Sequence, residues 1–105
     1  MEADTARMRK LGEVSSTLSR RDRILEKVRA IPEGFVRTYG DIDPAAPRHV
    51  GHVLASTHDD DLPWHRVVRA DGSVAKGARQ LNRLRGEGVP IRAGRVVLRE
   101  ARLPR

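Results

Sequence analysis

The sequence predicts a small α/β domain, mostly helical and winged-helix-like, with a helix-turn-helix at its centre and a small hairpin near its C-terminus. Three observations carry this. Two short helical patterns lie on either side of the prolines Pro44 and Pro47, close enough in the chain to form a helix-turn-helix. The segments Val89-Pro90-Ile91-Arg92 and Arg95-Val96-Val97-Leu98 flank Ala93-Gly94, a two-residue turn signal. Finally, 105 residues with 38% hydrophobic content allow one modest core and no second domain.

Residues 1–18 are polar with scattered cations, and only Leu11, Val14 and Leu18 suggest a helical stripe. This stretch reads as a basic N-terminal arm, mobile or weakly helical, ahead of a folded domain over residues 19–105. Ser19 can cap a helix through about Ala30, because Ile24, Leu25, Val28 and Ile31 share one face at helical spacing. Pro32-Glu33-Gly34 stops it. Thr38 is placed to cap a short turn through Tyr39, Gly40, Asp41 and Ile42. Pro47 suits the first position of a second helix through about Ser56, whose apolar face is Val50, Val53 and Leu54.

The polar stretch His58 to Pro63 reads as a loop whose proline delivers Trp64 to Val68 in extended form. Asp71-Gly72 makes a turn. A further helix is predicted from about Ala78 to Arg85, with Leu81 and Leu84 inward and Gly86 or Gly88 ending it. The hairpin completes the chain.

Charge narrows the function. Net charge is +7, and it is unevenly placed. Residues 64–105 hold eleven basic and three acidic side chains, giving +8, while residues 31–63 hold two and six, giving −4. The cations of the C-terminal part are almost all arginine, which grips phosphate in a bidentate way and stacks on bases. Nucleic acid is the partner this implies. The absence of cysteine excludes disulfides, thiolate zinc sites and cysteine catalysis. No apolar run approaches the roughly 20 residues that cross a bilayer, and no signal-peptide core opens the chain. A soluble, cytoplasmic protein without membrane partners is expected, nucleoid-associated if bacterial.

One motif goes further. Pro63-Trp64-His65-Arg66-Val67-Val68 resembles the Pro-Cys-His-Arg-Val of the O6-alkylguanine-DNA alkyltransferases, with tryptophan where the reactive cysteine would be. The resemblance extends in order through Ile-Pro-Glu-Gly at 31–34, Thr-Tyr-Gly-Asp-Ile at 38–42, Arg-His-Val-Gly at 48–51, Asp71-Gly72 and Glu87-Gly88. An indole offers no activated nucleophile, since its nitrogen lone pair belongs to the ring. The pattern is therefore similar to the alkyltransferase-like proteins. These bind O6-alkylguanine in duplex DNA through the minor groove, flip the nucleotide, transfer no alkyl group and mark the site for nucleotide excision repair.

On this resemblance, Tyr39 presses on the phosphate beside the lesion, and Arg48 enters the duplex to fill the space left by the flipped base. Trp64 lines the lesion pocket, with His65, Glu87 and Lys76 around it and the backbone of Val67 and Val68 against the base edge. The implied DNA-contacting set is Thr38, Tyr39, Pro47, Arg48, His49, His52, Arg69, Lys76 and Arg79. With no thiol to activate, His65 and Glu87 are expected to survive as a hydrogen-bonded pair that shapes the pocket, and Arg66 to be structural. The chain departs from the family pattern in three places. It is about five residues shorter between Tyr39 and Arg48, Gly77 stands where some members have an arginine, and Thr57 stands at an asparagine hinge.

His49 and His52, three apart on a helix, could share a metal, but surface histidines beside a DNA groove are the simpler reading. Neither a metal nor a cofactor is expected. The expected partners are duplex DNA carrying O6-alkylguanine and nucleotide excision repair proteins, bound by a monomer. The alternative is a general basic helix-turn-helix protein, a regulator or nucleoid component, without lesion specificity.

Overall fold

The computed structural model describes residues 18–104. The predicted N-terminal arm lies outside them apart from Leu18. The first helix, α1 (Arg20–Arg29), starts where Ser19 accepts a hydrogen bond from the Asp22 amide at 3.0 Å. Asp22 in its first turn and Lys27 and Arg29 in its last complement the helix dipole. Ile24, Leu25 and Val28 are buried on the predicted face.

A two-residue strand β1 (Arg37–Thr38) leads into the one-turn helix α2 (Tyr39–Ile42), and α3 (Pro47–Ser56) follows with Pro47 at its start. Proline has no amide to leave unpaired there and its φ is already helical. α3 buries Val50 and Val53 against α1 and α2, as its apolar face predicts.

Beyond the 58–63 loop the chain departs from the extended form expected. Trp64–Arg66 is a 3-10 turn. The Pro63 carbonyl accepts from the Arg66 amide at 3.1 Å, and the Trp64 carbonyl from the Val67 amide. This tight turn lets the adjacent side chains of His65 and Arg66 reach the same Glu87 carboxylate, which successive residues of an extended strand, facing opposite sides, could not do. β2 (Val67–Val68) then pairs in parallel with β1, Arg37 opposite Val67 and Thr38 opposite Val68.

Those two valines divide the core. Successive strand residues face opposite sides, so Val67 joins the cluster of α1, α2 and α3, whereas Val68 joins Val36, Leu84, Val89, Val96 and Ala101. α4 (Gly77–Gly86) covers this second cluster with Leu84, and Leu81 is only half-buried. The inward residue on the same helix that its pattern hides is Gln80. It is 1% exposed, and its amide nitrogen donates to the carbonyls of His65 at 3.1 Å and Val67 at 2.8 Å.

The hairpin forms as expected, β3 (Ile91–Arg92) against β4 (Arg95–Val96), around Ala93 and Gly94 with φ of 55° and 76°. Both residues in the left-handed region match the right-handed twist of the strands. Its ladder is shorter than predicted. Pro90 has no N–H to extend the pairing, and the chain from Leu98 coils into a one-turn helix, α5 (Leu98–Ala101), that buries Ala101. The hairpin is docked by the Val96 amide on the Gly72 carbonyl at 2.9 Å. Gly72 has φ of 83°, and a Cβ there would collide with the carbonyl oxygen of Val96.

Candidate nucleic-acid interface

Thr38 and Asp41 close a reciprocal cap at the start of α2, each side chain accepting the other's amide at 3.1 Å. Arg102 from the chain's far end then clamps Asp41 with two bonds of 2.6 and 2.9 Å. This guanidinium, chiefly, holds the Asp41 carboxyl well below the usual carboxylate range. The result is a rigid seat for the next residue, Tyr39. Thr38 itself is 4% exposed and its hydroxyl is occupied by the cap, which gives it a structural role at the foot of Tyr39.

Tyr39 is half-buried over Gly51 of α3 and borders two depressions. The smaller, of about 240 Å³, is shared by Tyr39, Pro47, Arg48, Gly51 and Arg69. Four residues predicted to contact DNA are thus brought to one place. Burial pushes the Tyr39 phenol above its ordinary value, with Arg69 opposing, so at neutral pH the group is an O–H donor. Arg48 is exposed and has no hydrogen bond or ion pair among the described residues.

The larger cavity, of about 580 Å³, lies on the other side of Tyr39. Its walls come from Leu54 of α3, the loop from Thr57 to Asp60, Trp64, and Lys76, Arg79, Gln80 and Arg83 at α4. Such a volume lies in the range of sites for small molecules or a single base. Trp64 is its aromatic wall. The guanidinium carbons of Arg79 and Arg83 lie 5.0 and 5.3 Å from the indole centroid, within cation–π reach. Arg83 was not singled out from sequence, although its spacing of four from Arg79 on a helix puts both on one face. Gln80 gave no signal, since glutamine in a charged helix usually faces water.

His65, Glu87, Val67 and Val68, assigned to the pocket by the resemblance, are not among the residues that line this cavity. Val67 and Val68 are 0% exposed as whole residues, backbone included, because β2 runs between the two core clusters, and Gln80 donates to the Val67 carbonyl. His65 and Glu87 form the expected pair, Nε2 to Oε2 at 2.8 Å, behind the 3-10 turn. Arg66 joins them, its Nη2 and Nε donating to Glu87 at 2.7 and 3.0 Å and its Nη1 to the Ile31 carbonyl at 2.8 Å. Burial pushes the Glu87 carboxyl up, but Arg66 and His65 together outweigh it and hold the group at about 2. The triad carries charge and packing, as expected of Arg66, and it presents no nucleophile.

His49 and His52 stack on α3 with ring centroids 6.3 Å apart, outside both depressions. Among the described residues no group of three or more histidines, cysteines or carboxylates could hold a metal ion.

Comparison with known proteins places this arrangement. The family model of the 6-O-methylguanine DNA methyltransferase, DNA binding domain, matches residues 19–89. A DNA base-flipping protein of Escherichia coli is 42% identical over 79 residues, which is 66% of this chain and 61% of that protein. This chain therefore matches less than two thirds of that relative's length. Alkyltransferase-like protein 1 of Schizosaccharomyces pombe is 36% identical over 81 residues, 66% of this chain and 75% of that protein. The crystal structure of S. pombe Atl1 in complex with damaged DNA containing O6-carboxymethylguanine superposes with a TM-score of 0.72 at 31% identity, covering 82% of this chain and 95% of that one. From its matched residues and its fold, the chain belongs to the family of the 6-O-methylguanine DNA methyltransferase DNA-binding domain.

Proposed function

We propose that this protein binds O6-alkylguanine in duplex DNA by flipping the nucleotide into the cavity beside Trp64, and that it transfers no alkyl group. The observation that carries this is the cavity of about 580 Å³ with an indole in its wall at the position of the family's cysteine, directly across Tyr39 from Arg48. Each part has a physical role. The Tyr39 hydroxyl donates to a phosphate and turns the nucleotide, and Arg48 on the first turn of α3 enters the minor groove and replaces the extruded base. Flipping costs a few kcal/mol, and it costs least for a base whose pairing the O6-alkyl group has already weakened. Trp64 then stacks on the base or packs against its alkyl group.

No alkyl transfer follows, because the side chain at position 64 cannot attack carbon and His65 and Glu87 have no thiol to activate. A binder without turnover serves repair by marking the site. Recruitment of nucleotide excision repair proteins by a cytoplasmic monomer, nucleoid-associated if bacterial, belongs to the same proposal.

The test is a fluorescence titration of Trp64, the sole tryptophan, with short duplexes that differ only by guanine or O6-methylguanine at one central position. Tighter lesion binding with quenching is expected. Equal affinities would reject lesion recognition in favour of general DNA binding, and a labelled methyl group moving from DNA to protein would reject the non-catalytic reading.

A further inference from the structure

A second basic surface lies outside the depressions around Tyr39. Arg92 and Arg95 of the hairpin and Arg99 of α5 line one open cleft of about 380 Å³, closed on its other side by Ala70 and Asp71. All three arginines are exposed. Asp71 is the lone anion in the lining, and its carboxylate is already engaged. Oδ1 accepts from the Ser73 amide at 2.9 Å and hydroxyl at 2.6 Å, and Oδ2 lies 3.7 Å from Arg95. Arg92 and Arg99 have no hydrogen bond or ion pair among the described residues. Three guanidiniums against one spent carboxylate leave a net positive cleft.

We propose that this cleft takes backbone phosphates of the duplex flanking the flipped nucleotide, so that the C-terminal hairpin is part of the DNA footprint; this rests on the DNA-binding function proposed above. Continuity argues for DNA. Arg69, which borders the depression of Tyr39 and Arg48, is one residue from Ala70 and two from Asp71, and so at most about 7 Å along the chain from the cleft. The cations thus run as a track from α3 through Arg69 to the hairpin. The cleft is also shallow and open, which suits a strand lying across it. It is held stiffly, since the Val96 amide bonds to Gly72 and the segment after α5 is tied to α2 by Arg102 and Asp41. A stiff hairpin spares the cost of ordering backbone on binding, which leaves only the rotamer freedom of the arginine side chains to be lost.

The experiment compares the wild-type protein with the triple substitution Arg92→Gln/Arg95→Gln/Arg99→Gln, measuring affinity for lesion and undamaged duplexes across a salt series. Each phosphate neutralised contributes about 0.9 to the slope of log K against log salt. The slope should become shallower by about 2 to 3 for both duplexes, with the lesion-to-undamaged ratio unchanged. A companion Arg→Lys triple, which keeps the charge, should restore the slope, so a folding defect cannot mimic the result. If wild-type binding is salt-sensitive and the Gln triple gives the same slope, the hairpin does not touch DNA, the proposal is overturned, and the cleft is left for an acidic protein partner. If the wild type itself binds neither duplex, the DNA-binding function fails first and takes this proposal with it.

Discussion

Glu87 accepts from two cationic or protonatable side chains at once, and the effect of removing it can be worked out from those contacts. Its carboxylate is 11% exposed and receives Arg66 at 2.7 Å and His65 at 2.8 Å. In Glu87→Ala the Arg66 guanidinium, 17% exposed, loses its counter-charge and keeps only the Ile31 carbonyl. His65 fares worse. Its Nδ1 is already buried without a partner, so neither ring nitrogen would be bonded. Removing one partner of a buried ion pair costs 3–5 kcal/mol, and the residual exposure of Arg66 argues for the lower end, about 3 kcal/mol. For a domain of this size each kcal/mol moves Tm by about 4–8 °C, so a fall of about 12–24 °C is expected by circular dichroism. Glu87→Gln keeps the packing and one acceptor and should cost about 1–2 kcal/mol. Because Glu87 does not line the cavity, Glu87→Gln measured below its Tm should keep the wild-type ratio of lesion to undamaged affinity. Two results would refute this reasoning: a Tm for Glu87→Ala within a degree or two of wild type, or a stably folded Glu87→Gln that has lost lesion preference.

Three further outcomes are expected. Gly72→Ala forces a Cβ into the Val96 carbonyl at a left-handed φ and should destabilise the fold by about 3 kcal/mol or more, read by urea unfolding; a wild-type midpoint would show that the hairpin can shift away freely. Acid should weaken the fold in a defined window: with the Glu87 carboxyl at about 2 in the fold against 4.5 for the free group, its contribution is full above pH about 4.5 and is lost as pH falls towards 2. The Glu87→Gln variant should lose less stability across that window than wild type, and parallel acid curves would count against the shift. Arg48→Ala should weaken lesion binding far more than binding to undamaged duplex, since the side chain is needed only where a base has left the stack; equal losses would reject its role as the filler.

What sequence could reveal depended on how local the cause was. Both ends of α1 and α3 were legible because a serine cap, a proline at the first helical position and a clean apolar stripe act within a few residues. Tyr39, Pro47, Arg48 and Arg69 could be grouped because the family resemblance ordered them, and the fold does bring them together. The misplaced residues depend on distant partners. Nothing near Thr38 announces that Arg102, more than sixty positions away, will bury and fix its cap. Pairing of β1 with β2 covers two residues in each strand, too few for any alternation to show. The 3-10 turn at Trp64 exists because His65 finds Glu87 and Gln80 reaches two carbonyls, contacts 22 and 15 or fewer positions apart. No local pattern around residues 64–68 could announce those contacts, and the resemblance alone assigned His65 and the two valines to the pocket.

The wall at Trp64 holds the backbone at position 64 in place independently of the side chain it carries. The backbone at Trp64 is held from behind by His65 and Arg66 on Glu87 and by Gln80 on the carbonyls of His65 and Val67, none of which requires a particular side chain at position 64. The indole is steadied from α4 by Arg79 and Arg83, whose guanidiniums lie within about 5 Å of its ring. In the proposed binding mode, a wall held from both sides loses little freedom against a base, and more of the stacking energy remains as affinity. A small reactive side chain on the same turn would leave the space now filled by the indole and give up that contact. Under the proposed function, tryptophan at position 64 adds a surface matched to a flat base and its alkyl group, at a place where the rest of the fold holds the backbone still.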